Sequence, residues 1–281
     1  MGKIAWVTDS TGFLDEELSN RKDIYVIPMT VFIDEEEYLD GVTITPAQFF
    51  ERLKTTKTIP KTSQPSIGSF VELYNSLEGE YDEIISIHIS EKLSGTVSSA
   101  RQAAELVNIP VTVIDSRILT YPMTNLMKEG MKLIEKGGTS SDVAKHITEL
   151  SQNLETYVII GSLEQLHRSG RMNTAQYFLG SMLQIKPVIQ IIDGALSVKE
   201  KVRSENKATN KILGYLKSAI EKNDIDEIHI LYGLDDSKTD AWKQEIRKFV
   251  PETISIKTCP LGVAIGVHAG EHTIGISWLN R

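Results

Sequence analysis

The stretch Ile84–Val107, IISIHISEKLSGTVSSARQAAELV, constrains the fold more than any other part of the chain. Ile84, Ile85, Ile87 and Ile89 form a β-branched run of buried-strand type. Val97, Ala100, Ala103, Ala104 and Val107 follow at the spacing of one helix face. Between them Ser90, Ser94, Gly95 and Thr96 bring hydroxyls and unhindered amides to a helix start, where the first N–H groups lack intrahelical acceptors and the dipole is positive. An anion is the natural guest of such a loop, although Ser94 or Thr96 acting as a simple N-cap accounts for the same residues. The next apolar run, Val111–Ile114, predicts a second strand parallel to the first.

The rest of the chain reads as further α/β units. Ile4–Val7 predicts a strand ending in Thr8-Asp9-Ser10-Thr11-Gly12, followed by a short helix over Asp15–Asn20 and one strand over Tyr25–Ile33. Helices are expected over Pro46–Lys54, behind a Thr45 cap, and over Ser66–Leu77. Thr55–Pro65 (TTKTIPKTSQP) reads as a loop, because its prolines exclude helix and sheet interior. Tyr121–Lys136 and Ser141–Leu150 predict helices on either side of Gly137-Gly138, which marks the approach to a domain boundary. Beyond it come a strand from Tyr157 to Ile160, elements over Leu163–His167 and Ala175–Met182, and two strands joined through Asp193-Gly194, a hairpin signal. Ser204–Ile220 and Lys238–Val250 predict amphipathic helices, and Ile225–Leu231 and Thr253–Thr258 predict strands. The expected architecture is α/β in two domains. Residues 1–155 carry the Thr62 and Ser94 loops on a largely parallel sheet flanked by helices, and residues 156–281 carry Arg171, Arg203 and His268 on a mixed sheet.

Composition narrows the function. A net charge of −8 over 281 residues offers no basic footprint for nucleic acid. Cys259 is the only cysteine, which rules out an intrachain disulfide, a thiolate zinc site and a CxxC redox pair and fits a small core residue. The N-terminus has no secretory layout and no apolar run is long enough to span a bilayer, so a cytoplasmic location is expected. Phosphate-loop, nucleophile-elbow and dinucleotide signatures do not occur. His268-Ala269-Gly270-Glu271-His272 satisfies H-x-x-E-H, a zinc-peptidase pattern that works only on a helix. Gly262, Gly266, Gly270 and Gly275 each disfavour helix by about 1 kcal/mol relative to alanine, so the segment is expected in loop or strand.

Several segments, in order along nearly the whole chain, resemble the signatures of the DegV family of bacterial fatty-acid-binding proteins. They are TDST, TSQPS (Thr62–Ser66), ISEKLSGT, the Ile114-Asp115-Ser116 after the next strand, Leu163–Arg171 as L-x-x-L-x-x-x-G-R, Lys186-Pro187 and the G-x-H-x-G around His268. The resemblance implies a carrier without turnover of its own and with no cofactor. It would hold one long-chain fatty acid, carboxylate at the domain interface and tail in an apolar tunnel, and present it to a separate ATP-dependent fatty acid kinase. By the same resemblance Thr62 and Ser94 donate to the carboxylate and Gly95 and Thr96 lie beside the same oxygens. His268 and Arg171 orient the hydroxyls and supply positive charge, and Arg203 lies on the surface that meets the kinase. The chain departs from the pattern at Glu271-His272, where the family has Pro-Gly, and at Tyr121-Pro122-Met123. The competing reading is a hydrolase, either zinc-dependent through His268, Glu271 and His272 or using Ser94 as nucleophile.

Overall fold

The computed structural model describes residues 2–172 and 185–281. In the first half, β1 (Ile4–Asp9), β2 (Ile24–Ile27), β6 (Glu83–His88) and β7 (Val111–Asp115) form an all-parallel sheet of order β2-β1-β6-β7. Its connections include the short α1 (Glu16–Ser19), α3 (Ile67–Leu77) and α4 (Thr96–Ala104), and α5 (Thr120–Glu135) and α6 (Ser140–Ser151) follow β7. Alternate residues of the parallel strands face opposite ways. Ala5, Val7 and Ile84 pack with Phe70, Tyr74, Ala100 and Ala103 of α3 and α4, whereas Trp6, Ile85 and Ile87 pack with Leu126, Met127, Val143 and Ile147 of α5 and α6.

The expected single strand over Tyr25–Ile33 is two. Pro28 has no N–H to donate to a ladder, and the chain leaves β2 there. It then forms β3 (Thr30–Ile33), which belongs to a separate antiparallel sheet of order β4-β3-β5 with β4 (Glu36–Leu39) and β5 (Lys61–Ser63). The segment expected as a loop therefore contributes a short strand, at the sheet edge where flanking prolines are tolerated. Between β4 and β5, α2 (Pro46–Leu53) carries a Thr45–Gln48 capping box.

The second half is a six-stranded mixed sheet of order β10-β9-β8-β13-β11-β12. It comprises β8 (Leu154–Ile159), β9 (Lys186–Ile192), β10 (Ala195–Val202), β11 (Glu227–Tyr232), β12 (Ser255–Pro260) and β13 (Ile274–Leu279). The β9–β10 hairpin turns through Asp193 and Gly194, both with positive φ, as a type I′ turn requires. One sheet face, including Tyr157, Ile159, Ile230, Ile276 and Trp278, is covered by α8 (Glu205–Ile220) and α9 (Thr239–Arg247). The other face turns toward the first half, and a shared core cluster joins Trp6, Ile85 and Tyr121 to Ile191, Leu231 and Leu261. The short α7 (Leu163–Arg168) follows β8, and the element expected over Ala175–Met182 lies outside the described residues.

The glycine-rich tail is the other correction. Gly262–Ala269 is a helix, α10, not loop or strand. Val263, Ala264, Val267 and Ala269 are buried at helical spacing, and this tertiary burial overrides the intrinsic cost of two glycines. The helix stops at Gly270, whose φ of 84° suits glycine, so Glu271 and His272 lie beyond it. No helix among the described residues is long and apolar enough to cross a membrane.

Candidate functional site

In open parallel sheets the carboxyl ends of the strands face a crevice, and the loops that follow β1, β6 and β7 meet there. A buried carboxylate ties the first two together. Asp9, at the end of β1, accepts from the Thr11 amide (3.1 Å), the Thr11 hydroxyl, the Ile89 amide (3.0 Å) and His88 Nδ1 (3.1 Å). Burial pushes the Asp9 pKa up, but the bonds from His88, Thr11 and Ile89 outweigh it and hold the carboxyl below its ordinary value. His88 Nε2 continues to Ser86 (2.6 Å) and Ser86 to Tyr74 (2.8 Å), so the relay is anchored in α3.

A second buried carboxylate orients α10. Asp40 receives the Ser10 hydroxyl (3.0 Å) and the Ala264 amide (3.3 Å), so a residue just past β4 caps the helix that carries His268. Burial raises its pKa to about 6 despite those bonds, and the charge of Asp9 adds to the effect. Ser10 also accepts from the Met29 amide (2.9 Å), fixing the chain where β2 gives way to β3. Neither Asp9 nor Asp40 was assigned a role from sequence. TDST supplied the signal for Asp9, whereas nothing local marks Asp40.

Thr62, Ser94, Arg171 and His268 all border one cleft with about 800 Å³ of free space, part of it open to solvent. Thr62 Oγ1 lies 2.6 Å from His268 Nε2. Burial, with the Arg171 charge adding, lowers the His268 pKa to about 4, so the ring is neutral at physiological pH. Its Nδ1 is buried without a hydrogen-bond partner among the described residues. Arg171 reaches across from the end of α7, donating through Nε to the Leu93 carbonyl (3.2 Å) and through Nη1 to the Ser169 carbonyl (2.5 Å). It is the only charged side chain among the described residues of the lining, and no acidic group among the described residues pairs with it. Burial alone lowers its pKa.

Gly95 and Thr96 stand behind this group, outside the lining. Gly95 is the N-cap of α4 and makes no side-chain cap, so neither Ser94 nor Thr96 has that role. A Cβ at Gly95 would lie 2.8 Å from Gln64 Nε2, so glycine lets the Thr62 loop close onto the helix start. Thr96 is fully buried and its hydroxyl bonds Ser94 Oγ at 2.8 Å. Arg203 is exposed just after β10 and does not border the cleft.

The H-x-x-E-H residues do not converge. His268 faces Thr62, whereas His272 is 58% exposed and is bonded to Asp235 (3.2 Å) and Glu271 (2.9 Å). Among the described residues no three His, Cys, Asp or Glu side chains form a group able to hold a metal. Ser94 is paired with Thr96 and His268 with Thr62, so the serine–histidine pair needed for nucleophilic attack is not assembled.

The remaining wall is mainly apolar and comes from both halves, including Ile89, Leu93, Ile118 and Leu119 from the first and Val158, Ile160, Leu196 and Leu231 from the second. Thr156 and Val158 of β8 and Ile160 just after it line the cleft in alternation, so it extends about 13 Å along that direction. Sequence patterning could not find this wall, because its residues read as ordinary core.

Comparison with known proteins places the chain in a family. A protein described as DegV domain-containing protein BH3627, from Halalkalibacterium halodurans, is 34% identical over 99% of this chain and 99% of its own. A structure described as fatty acid binding of a DegV family protein from Thermus thermophilus superposes with a TM-score of 0.88 at 32% identity, covering 99% of this chain and 100% of that one. Another, described as DegV, a fatty acid binding protein from Bacillus subtilis, gives a TM-score of 0.88 at 30% identity with both chains covered in full (100%). The family model described as "Uncharacterised protein, DegV family" matches residues 3–281, and the chain belongs to that family.

Proposed function

We propose that this protein is a carrier that binds one long-chain fatty acid, with the carboxylate at Thr62, Ser94, Arg171 and His268 and the acyl chain in the apolar cleft. The observation that carries the reading is Arg171, a half-buried cation without an acidic partner among the described residues, set beside two hydroxyls at one end of an otherwise apolar wall. A desolvated cation is costly until an anion meets it, and charge-assisted hydrogen bonds are the strong kind. The wall beyond is mainly apolar and suits a hydrocarbon, each buried methylene of which contributes about 0.8 kcal/mol. If His268 Nε2 donates to Thr62, the Thr62 proton is free to point at a carboxylate oxygen. The fatty-acid-binding relatives from T. thermophilus and B. subtilis support the same reading.

The carrier has no hydrolytic role in this reading. The carboxyl end is presented at the cleft mouth to a separate ATP-dependent fatty acid kinase, and Arg203 lies on the surface that meets it. Mass spectrometry of lipid extracted from the purified protein tests the central claim: a stoichiometric long-chain fatty acid is expected, and protein that neither carries nor takes up such an acid refutes it. Kinase-dependent acyl-phosphate formation that falls in Arg203→Ala with ligand affinity unchanged is expected of the partner claim, and an unaltered rate refutes the Arg203 assignment.

A further inference from the structure

A buried carboxylate outside the cleft lining is tied to three of the segments that form it. Asp40, 4% exposed, follows β4 and does not border the cleft. Its N–H donates to the Met29 carbonyl (2.9 Å), which carries the β3–β4 ladder one step beyond the Thr30–Leu39 pair. Its carboxylate accepts from the Ser10 hydroxyl (3.0 Å) and the Ala264 amide (3.3 Å), and the Ser10 oxygen accepts in turn from the Met29 amide (2.9 Å). The loop after β1, the crossing from β2 to β3 and the first turn of α10 are thus gathered on one residue. Met29 and Ala264 border the cleft themselves.

The two arms of this clamp lead to the two partners of the Thr62–His268 contact. Through the small sheet, Leu39 is in register with Thr30, and Thr30 with Ser63, the neighbour of Thr62. Through α10, His268 lies four residues beyond Ala264, one turn along the same face and about 6 Å further on. Val31 and Ile33 pack against Val263 and Val267 and hold the helix on the sheet, but apolar contacts are non-directional and tolerate a slide along the helix axis. A hydrogen bond to a first-turn amide does not. Helix starts leave those amides without intrahelical acceptors, and the N-cap of α10, Leu261, supplies no side-chain bond, so Asp40 fills that place from the other half.

We propose that Asp40 is a positioning residue of the headgroup site: it fixes the register of α10 against the small sheet so that His268 Nε2 and Thr62 Oγ1 meet, and it does not touch the ligand. The inference rests on the fatty-acid reading and adds to it a residue that governs recognition of the charged end alone. Acidic and neutral ligands of one chain length then respond differently to its loss.

The test uses the full chain stripped of lipid, titrated with palmitic acid and with 1-hexadecanol, which fills the apolar cleft without bringing a charge. The parent is expected to prefer the acid by about ten- to hundredfold, the range for hydrogen bonds to a charged group. In Asp40→Ala the acid is expected to bind about tenfold more weakly while the alcohol stays within about twofold of its parent value. Asp40→Asn is expected to keep the parent's acid affinity, because an amide oxygen still accepts from Ser10 and Ala264. Both variants remove the same charge, so a loss confined to alanine comes from the missing acceptor. Acid affinity unchanged in Asp40→Ala, acid and alcohol weakened alike, or an equal loss in Asp40→Asn overturns the positioning role alone. If Asp40→Ala does not fold, Asp40→Glu, which carries the carboxylate one methylene further, is expected to lower the acid-to-alcohol preference, and an unchanged preference overturns the role. A parent that binds neither ligand, or does not prefer the acid, overturns the fatty-acid reading and the positioning role with it.

Discussion

Thr62 Oγ1 and His268 Nε2 lie 2.6 Å apart although 206 residues separate them in the chain. The contact joins an edge strand of the small antiparallel sheet to the last turn of α10, so two distant segments meet at one hydrogen bond. Thr62→Val keeps the branched shape and removes the hydroxyl. Fatty acid affinity in a fluorescent-probe displacement titration is expected to fall about ten- to hundredfold, the range for a hydrogen bond to a charged group. An unchanged affinity would remove Thr62 from the headgroup site.

Arg171→Met separates ligand binding from stability. Replacing a half-buried cation that lacks an acidic partner among the described residues with an apolar chain of similar length relieves desolvation, so the lipid-free variant is expected to unfold at the same temperature as the parent or higher. Its affinity for a fatty acid is expected to drop by about tenfold or more. A variant that loses stability while retaining affinity would contradict the assignment.

Asp40 gives a pH dependence whose sign follows from its raised pKa. Between its unfolded value near 3.8 and its folded value of about 6, the folded protein holds a proton that the unfolded chain has released. Stability contributed by this group is therefore fully present below about pH 4 and is lost as pH rises through about 6, on the order of 3 kcal/mol. Asp40→Asn keeps an acceptor for Ser10 and the α10 amide and removes the titration. Melting temperatures measured from pH 4 to 8 should show a decline in the parent that is smaller in the variant, and identical slopes would refute the claim.

Asp9→Ala strips the carboxylate from Thr11, Ile89 and His88 at once, leaving buried donors unpaired. A loss of about 3–5 kcal/mol in urea unfolding is expected. A loss under 1 kcal/mol would mean that the relay is not what ties the two loops.

The Ile84–Val107 unit and the Asp193-Gly194 hairpin were readable because each is specified by residues close in sequence. The break after β2 and the helix at Gly262–Ala269 were not, because the first depends on which sheet captures the chain and the second on a cap from Asp40, 224 residues before Ala264. For the same reason motifs pointed to candidate residues but not to their pairing. Thr62 with His268, and Arg171 with the Leu93 carbonyl, are products of how the halves come together. His272 shows the opposite case, a motif letter whose geometry never forms.

Ile118, Leu119, Ile191, Leu231 and Leu261 border the cleft and also belong to the core cluster that joins the two halves. On the proposed reading, a fatty acid seated there becomes a temporary part of the protein's own interior. A ligand held there would pack against both halves at once, so the melting temperature is expected to rise with occupancy.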